Sequence, residues 1–276
     1  MKMNFIKAST CRNTTAFFDD DVDEERYSFI ARRAMEPDYL AVEQVGFLAR
    51  PHNSFSLLRL EMAGGEFCGN ATLALAALAV RRGMARPGDQ VKVECSGEAS
   101  PLFATVEETG NGRFGVRCSM PGIGGEKMSD AKLLAFDKEY AGGIVNVPGI
   151  SHFLFEAAVA PTVSTFDMLI EALASRVESD AYGVIAYHRE SGNFYTICPY
   201  VYVPSSGSRV FEQACGSGSL SLGAWLSREG HGSRFEIGQP GGTIKVEIGD
   251  ENYISADVYF PCEGEMSLDG LSFSAG

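Results

Sequence analysis

Cys68-Gly69 and Cys215-Gly216 each stand where an apolar, helix-forming run begins. CGNATLALAALAVRRG from Cys68 and CGSGSLSLGAWLSREG from Cys215 lie over each other without a gap, with Leu73/Leu220, Leu75/Leu222, Arg81/Arg228 and Gly83/Gly230 at matching offsets. Buried helices commonly share leucine and alanine, and glycine commonly ends a helix. A shared Cys-Gly start does not follow from those preferences and points to an ancestral duplication. The first turn of a helix presents unpaired N–H groups and the positive end of its dipole, so a thiol there is expected to ionise more readily. Gly69, Asn70, Gly216 and Ser217, being small or polar, leave those N–H groups open to a substrate carboxylate.

Two such helix starts facing one another suit the inversion of a stereocentre. A proton must leave one face of a carbon while another arrives at the opposite face, and two thiols, one ionised and one protonated, can exchange those roles. The Cα–H of an amino acid is a very weak acid, and preorganised N–H donors stabilise the charge that develops on its carboxylate. Neither pyridoxal phosphate nor a metal is needed by this logic, and the expected cofactor set is empty. The seven cysteines show no CxxC spacing and indicate neither a zinc site nor a disulfide framework. Cys11, Cys95, Cys118, Cys198 and Cys262 lack the repeated pattern and are expected to be packing elements.

The elements that must hold these groups are mostly short. Strand-like segments are Ser54–Glu61, Gln90–Cys95, Leu102–Val106, Arg113–Cys118, Gly143–Val147, Phe153–Val159, Tyr182–Tyr187, Phe194–Val203, Thr243–Ile248 and Tyr253–Phe260. Helical periodicity appears at Asp23–Met35, Cys68–Gly83, Phe166–Val177 and Cys215–Gly230. The expected class is α+β (α/β), in two similar halves. The turn-rich stretch Ser119–Glu126 divides them into residues 1–122, carrying Cys68, and 123–276, carrying Cys215, whose last residues can pack back on the first half.

With 276 residues, 45% of them hydrophobic and 21% charged, the chain has ordinary globular composition. Acidic residues number 36 and basic ones 23, a net charge of −13, which disfavours nucleic acid and anionic membrane surfaces as partners. No stretch reaches the roughly 20 apolar residues that span a bilayer, and the N-terminus has no continuous apolar signal core. A cytoplasmic protein acting on a small molecule is expected.

EFCGNAT, QACGSGS and QPGGTIKV resemble the signature segments of the diaminopimelate epimerase superfamily, the cofactor-independent two-cysteine racemases, and the similarity runs over nearly the whole chain. The resemblance implies two pseudo-symmetric halves, each a curled mixed sheet around a central helix, with the active site in the cleft between them. It also implies a homodimer. Diaminopimelate itself is disfavoured. Where those epimerases read the far end of their substrate, this chain has Met62-Ala63, Gly149-Ile-Ser-His152, Pro199-Tyr200 and Phe211-Glu212-Gln213, without the distal-carboxylate arginine. Leaving a buried substrate charge unpaired would cost about 3–5 kcal/mol.

AVEQVGF with GGEFCGNAT, a shortened loop before CGSGS, and GQPGG is similar to the histidine racemases that supply D-histidine to staphylopine-type opine metallophores. The resemblance implies that Glu43 assists the two cysteines and that Gln44 touches substrate. Glu43 can orient or relay a proton or hold an ammonium or imidazole group; otherwise it is a solvent-facing strand residue. Asn13 falls where the superfamily places an asparagine near substrate, and is equally a turn former. His152 resembles a family histidine, with a satisfied core histidine as the other reading. Glu212 either binds the substrate ammonium or pairs with Arg209, and Glu66 reads as a loop charge. Alternatives to histidine racemisation are a phenazine-biosynthesis-like isomerase, a racemase of another basic amino acid, and a non-catalytic amino-acid binder.

Overall fold

Each half of the chain wraps a sheet around one apolar helix. The computed structural model describes residues 2–205 and 207–268. The first half runs β1 (Lys2–Thr10), β2 (Asn13–Phe18), α1 (Tyr27–Met35), β3 (Gln44–Ala49), β4 (Leu58–Met62), α2 (Gly69–Arg81), β5 (Gln90–Cys95), β6 (Leu102–Gly110) and β7 (Arg113–Met120). The second runs β8 (Met128–Ala135), β9 (Lys138–Val147), β10 (Ile150–Glu156), α3 (Val163–Ala174), β11 (Ala181–Ser191), β12 (Phe194–Val203), β13 (Ser208–Phe211), α4 (Gly216–Arg228), β14 (Arg234–Gln239), β15 (Gly242–Glu247) and β16 (Asn252–Ser267).

The duplication is visible in the pairing. Parallel pairs occur at β2–β3, β4–β5, β10–β11 and β12–β14, and a helix crosses over in each case: α1, α2, α3 and α4 in turn. Parallel neighbours require such a crossover, whereas the antiparallel pairs around them need only turns. β16 joins the halves. Its first part lies between β7 and β15, and its second part returns along β1. That return closes strands β1 to β7 into a ring around α2, while β8 to β12, β14 and β15 curl around α4 from the other side of β16. The mixed α+β class with pseudo-symmetric halves is therefore as the residues led us to expect.

α2 is buried from Gly69 through Val80 and α4 from Gly216 through Leu226. Helices without a solvent face belong inside a core, which explains why alanine, leucine and small residues fill all their sides. Both end alike: Gly83 and Gly230 adopt φ of 70° and 83°. The next N–H groups, of Met84 and His231, reach back to Ala79 and Leu226. Only glycine takes that left-handed position without steric cost.

Some boundaries differ from the periodicity reading. The segment at 54–61 forms β4 at Leu58–Met62, and that at 153–159 forms β10 at Ile150–Glu156. The hairpin β1–β2, β3 and β8 carry no strong strand signal. The β1–β2 turn places Cys11 and Arg12 at φ of 47° and 63°, a geometry usually marked by Asn-Gly, which is absent here.

Candidate active site

The two cysteines are the N-caps of the two central helices, and their backbones nearly superpose. Cys68 has φ −128° and ψ 108°, and Cys215 has φ −124° and ψ 105°. Each sulfur accepts from the N–H three residues on, Ala71 or Gly218, at 3.3 Å. Thr72 Oγ1 and Ser219 Oγ each donate to the cysteine carbonyl at 2.8 Å. This is the local geometry of a serine or threonine N-cap with sulfur in place of oxygen.

The helix starts meet nose to nose. A Cβ built on Gly69 would lie 3.6 Å from Gly216 Cα, and one built on Gly216 would lie 3.1 Å from Asn70 N. A side chain at Gly216 would crowd Asn70, and one at Gly69 would first meet Ile254 Cδ1 at 3.1 Å. Asn70 Nδ2 donates to the Ala214 carbonyl at 2.8 Å, tying the first helix start to the chain entering the second. Two positive helix ends in contact repel, and the N–H groups of their first turns have no intrahelical acceptor. An anion placed between them resolves both problems.

One cleft opens at this junction. Its wall includes Cys68, Gly69, Asn70, Cys215, Gly216, Ser217, Glu43, Gln44 and Glu212. Cys68 Sγ lies 3.0 Å from Gln44 Oε1, Gln44 Nε2 donates to Glu212 Oε1 at 3.3 Å, and Glu212 hydrogen-bonds the Cys215 thiol. A continuous polar chain thus joins the two sulfurs. Farther out the wall is largely apolar, with Ala31 and Met35 from α1 and Ile150, Val201, Val203 and Val210 from the second half.

Burial sets the electrostatics. It pushes both thiols well above their ordinary value, against the N–H bonds that favour the thiolate, and Glu212 raises Cys215 further. The expected ease of ionisation is therefore not found: desolvation outweighs two weak N–H···S contacts. Burial also lifts the carboxyl groups of Glu43 and Glu212 to about 7 each, and Glu43 adds to the rise at Glu212 by repulsion. Glu43 Oε2 accepts from Asn13 Nδ2 at 3.0 Å and from the Gln213 N–H at 3.4 Å, so it faces the cleft and not bulk solvent.

Asn13 and His152 stand behind the wall. Asn13 is 1% exposed and reaches the cleft through Glu43. His152 is fully buried, with Nε2 3.0 Å from Ser217 Oγ, and burial lowers its pKa to about 3, making it a neutral support for Ser217. Glu212 does not pair with Arg209, which binds Asp167 and Glu171. Three further residues belong to the site beyond those the sequence points to. Glu66 lies in the cleft wall. Gln239 Oε1 accepts from the Cys215 N–H at 2.6 Å, and its Nε2 donates to Ser219 Oγ at 2.9 Å. Cys95 holds the matching place in the first half, beside the Cys68 N–H and the Thr72 hydroxyl. The internal repeat could have located the last two, since both end the strand that follows a cysteine helix.

Comparison with known proteins places this geometry. The model of the histidine racemase CntK N-terminal domain matches residues 2–270. A histidine racemase of Fusobacterium nucleatum subsp. nucleatum is 32% identical over 272 residues, covering 96% of this chain and 97% of that protein. A histidine racemase of Staphylococcus aureus is 23% identical over 277 residues, covering 97% and 98%. Among solved structures, a hydroxyproline epimerase from Agrobacterium vitis shares the fold at a TM-score of 0.73 and 14% identity, covering 97% of this chain and 93% of that one. With a family match over nearly its full length, the chain belongs to the histidine racemase family.

Proposed function

We propose that the protein interconverts L- and D-histidine by two-base proton transfer between Cys68 and Cys215. The observation that carries this reading is the shared cleft: two cysteine N-caps, on helices whose first glycines touch, line one cavity. The substrate carboxylate lies between the helix starts, where the N–H groups of Gly69, Asn70, Gly216 and Ser217 hold it. Its ammonium group sits against Glu43 and Glu212 and relieves their mutual repulsion.

In one direction a thiolate takes the Cα proton and becomes a thiol. The electron pair moves into the carboxylate as enolate-like charge, which the helix N–H groups stabilise. The opposite thiol then gives its proton to the other face of Cα and is left as thiolate. The reverse reaction exchanges the roles. Glu212, bonded to the Cys215 thiol, is placed to accept that thiol's proton and generate the starting thiolate. The resemblance to racemases that supply D-histidine to opine metallophores gives the product a use of that kind.

The test is incubation of L-histidine with the protein in D₂O, followed by NMR of the Cα–H signal and chiral chromatography. Loss of the signal with appearance of D-histidine is the expected result. Exchange without inversion, or neither event, overturns the reading.

A further inference from the structure

The cleft has three acidic side chains in its wall, Glu43, Glu66 and Glu212, and among the described residues of that wall there is no lysine, arginine or histidine. Two of the three are accounted for. Glu43 is held by Asn13 and the Gln213 N–H, and Glu212 by Gln44 and Cys215. Glu66 is not. Its Oε2 is shut off from bulk solvent and has no hydrogen-bond partner, and only the backbone N–H groups of Gly64 and Glu66 itself lie near enough to support charge on the carboxylate. The fold fixes this residue through its backbone, because its carbonyl accepts from Ser96 Oγ at 3.0 Å and Gly149 of the opposite half packs against its Cα. The carboxylate lies over Gly64, where a Cβ would come within 2.5 Å of Oε2, and is close enough to Cys68 and Glu212 to act on both electrostatically.

A buried carboxyl group without a counter-charge is costly, and a natural site keeps one where a ligand supplies the missing partner. The carboxylate and ammonium groups common to all amino acids are already met by the helix starts and by the Glu43–Glu212 pair. What remains for Glu66 is the side chain. We infer that Glu66 is the specificity residue of the cleft, accepting a hydrogen bond from an N–H of the substrate side chain, so that the site selects a five-membered ring bearing N–H or its protonated form over apolar side chains of equal size. This inference rests on the racemase reading above and adds to it the residue that reads the ring.

Two measurements test it. In the first, KM and kcat for histidine exchange are compared between the wild-type protein and Glu66→Gln, which keeps the shape and removes the charge. Losing a hydrogen bond to a charged acceptor predicts a rise in KM of roughly 10-fold to 100-fold, larger than the change in kcat that follows from removing a charge beside Cys68 and Glu212. In the second, the wild-type protein alone is given histidine and thiazolylalanine, a ring of the same size that has a nitrogen and no N–H. The inference predicts a KM at least about 10-fold higher for thiazolylalanine. A Glu66→Gln variant whose KM for histidine stays within about twofold, or wild-type protein that takes both rings equally, overturns the assignment. If Glu66→Gln does not fold, the wild-type comparison decides alone. Failure of the wild-type protein to exchange the Cα–H of histidine would instead refute the racemase reading, so the two failures are distinguishable.

Discussion

The two cysteine helix starts share a backbone and differ in company. Around Cys68 the sulfur faces the Gln44 amide oxygen and the backbone N–H sits beside another thiol, Cys95. Around Cys215 the sulfur faces the Glu212 carboxyl and lies 3.6 Å from Ser217 Oγ, while the backbone N–H is fixed by the Gln239 amide. An amide oxygen can only hold a thiol proton in place, whereas a carboxylate can take it. The repeated helix start thus sets two sulfurs in one cleft, both held as thiols by burial, and their neighbours differ: on the proposed mechanism Cys68 keeps its proton at rest and Cys215 has a carboxylate that can take it.

The largest effect comes from removing a sulfur. Cys68→Ser and Cys215→Ser are each expected to lower racemisation about 10³-fold or more, read by chiral chromatography, because a serine hydroxyl cannot replace a thiol as acid and base. Equal activity in either variant breaks the pairing. Glu212→Gln comes next, with a loss of about 10²-fold in kcat/KM from removing a proton acceptor. Wild-type kcat/KM should rise as pH passes through about 7, the region where burial places the Glu212 carboxyl, and that limb should be lost or moved in the variant. A pH profile identical in both would place the ionisation elsewhere.

The same raised carboxyl has a stability consequence of opposite sign. Its folded value of about 7 lies above the ordinary 4.5, so the folded state binds a proton more tightly than the unfolded one. The stabilisation this provides is complete below the ordinary value and is lost as pH rises through about 7. Glu212→Gln should therefore melt higher than wild type near pH 8 and close to wild type near pH 4, measured by thermal denaturation. No difference at pH 8 would show that the group is not held neutral by burial.

The smallest effect sharpens the contrast between supports. Gln239→Ala leaves the buried Cys215 N–H without its acceptor and should cost about 1–3 kcal/mol of stability, with a fall in kcat. Cys95→Ala removes a much weaker acceptor from the Cys68 N–H and should cost less. Equal losses, measured by chemical denaturation, would argue that the two supports are equivalent after all.

Much of this was legible in the residues. The gapless overlay at Cys68 and Cys215 located both helices to within a residue or two and brought the sulfurs to one cleft, because a repeated start encodes a repeated position. Glu43 and Gln44 came from the resemblance and Glu212 from its place just before Cys215, and all three line the cleft. The remainder depended on facts that are not local. The thiols looked easy to ionise from their helix positions, and burial reverses that. Glu66 looked like a loop charge, since nothing in its neighbours announces that Gly149 from the other half will cover it. His152 reads from sequence as a substrate contact or a satisfied core histidine, and full burial behind Ser217 agrees with the second. The β1–β2 hairpin was hidden by a turn whose residues, Cys11 and Arg12, lack the usual composition.

The central claim is that the two sulfurs address opposite faces of one Cα. Single-thiol variants test it most directly when L-histidine and D-histidine are supplied separately in D₂O and Cα exchange is followed by NMR. The account predicts complementary handedness: Cys68→Ser exchanges one enantiomer only, and Cys215→Ser exchanges only the other. Exchange of the same enantiomer by both variants, or of both enantiomers by either, would contradict it.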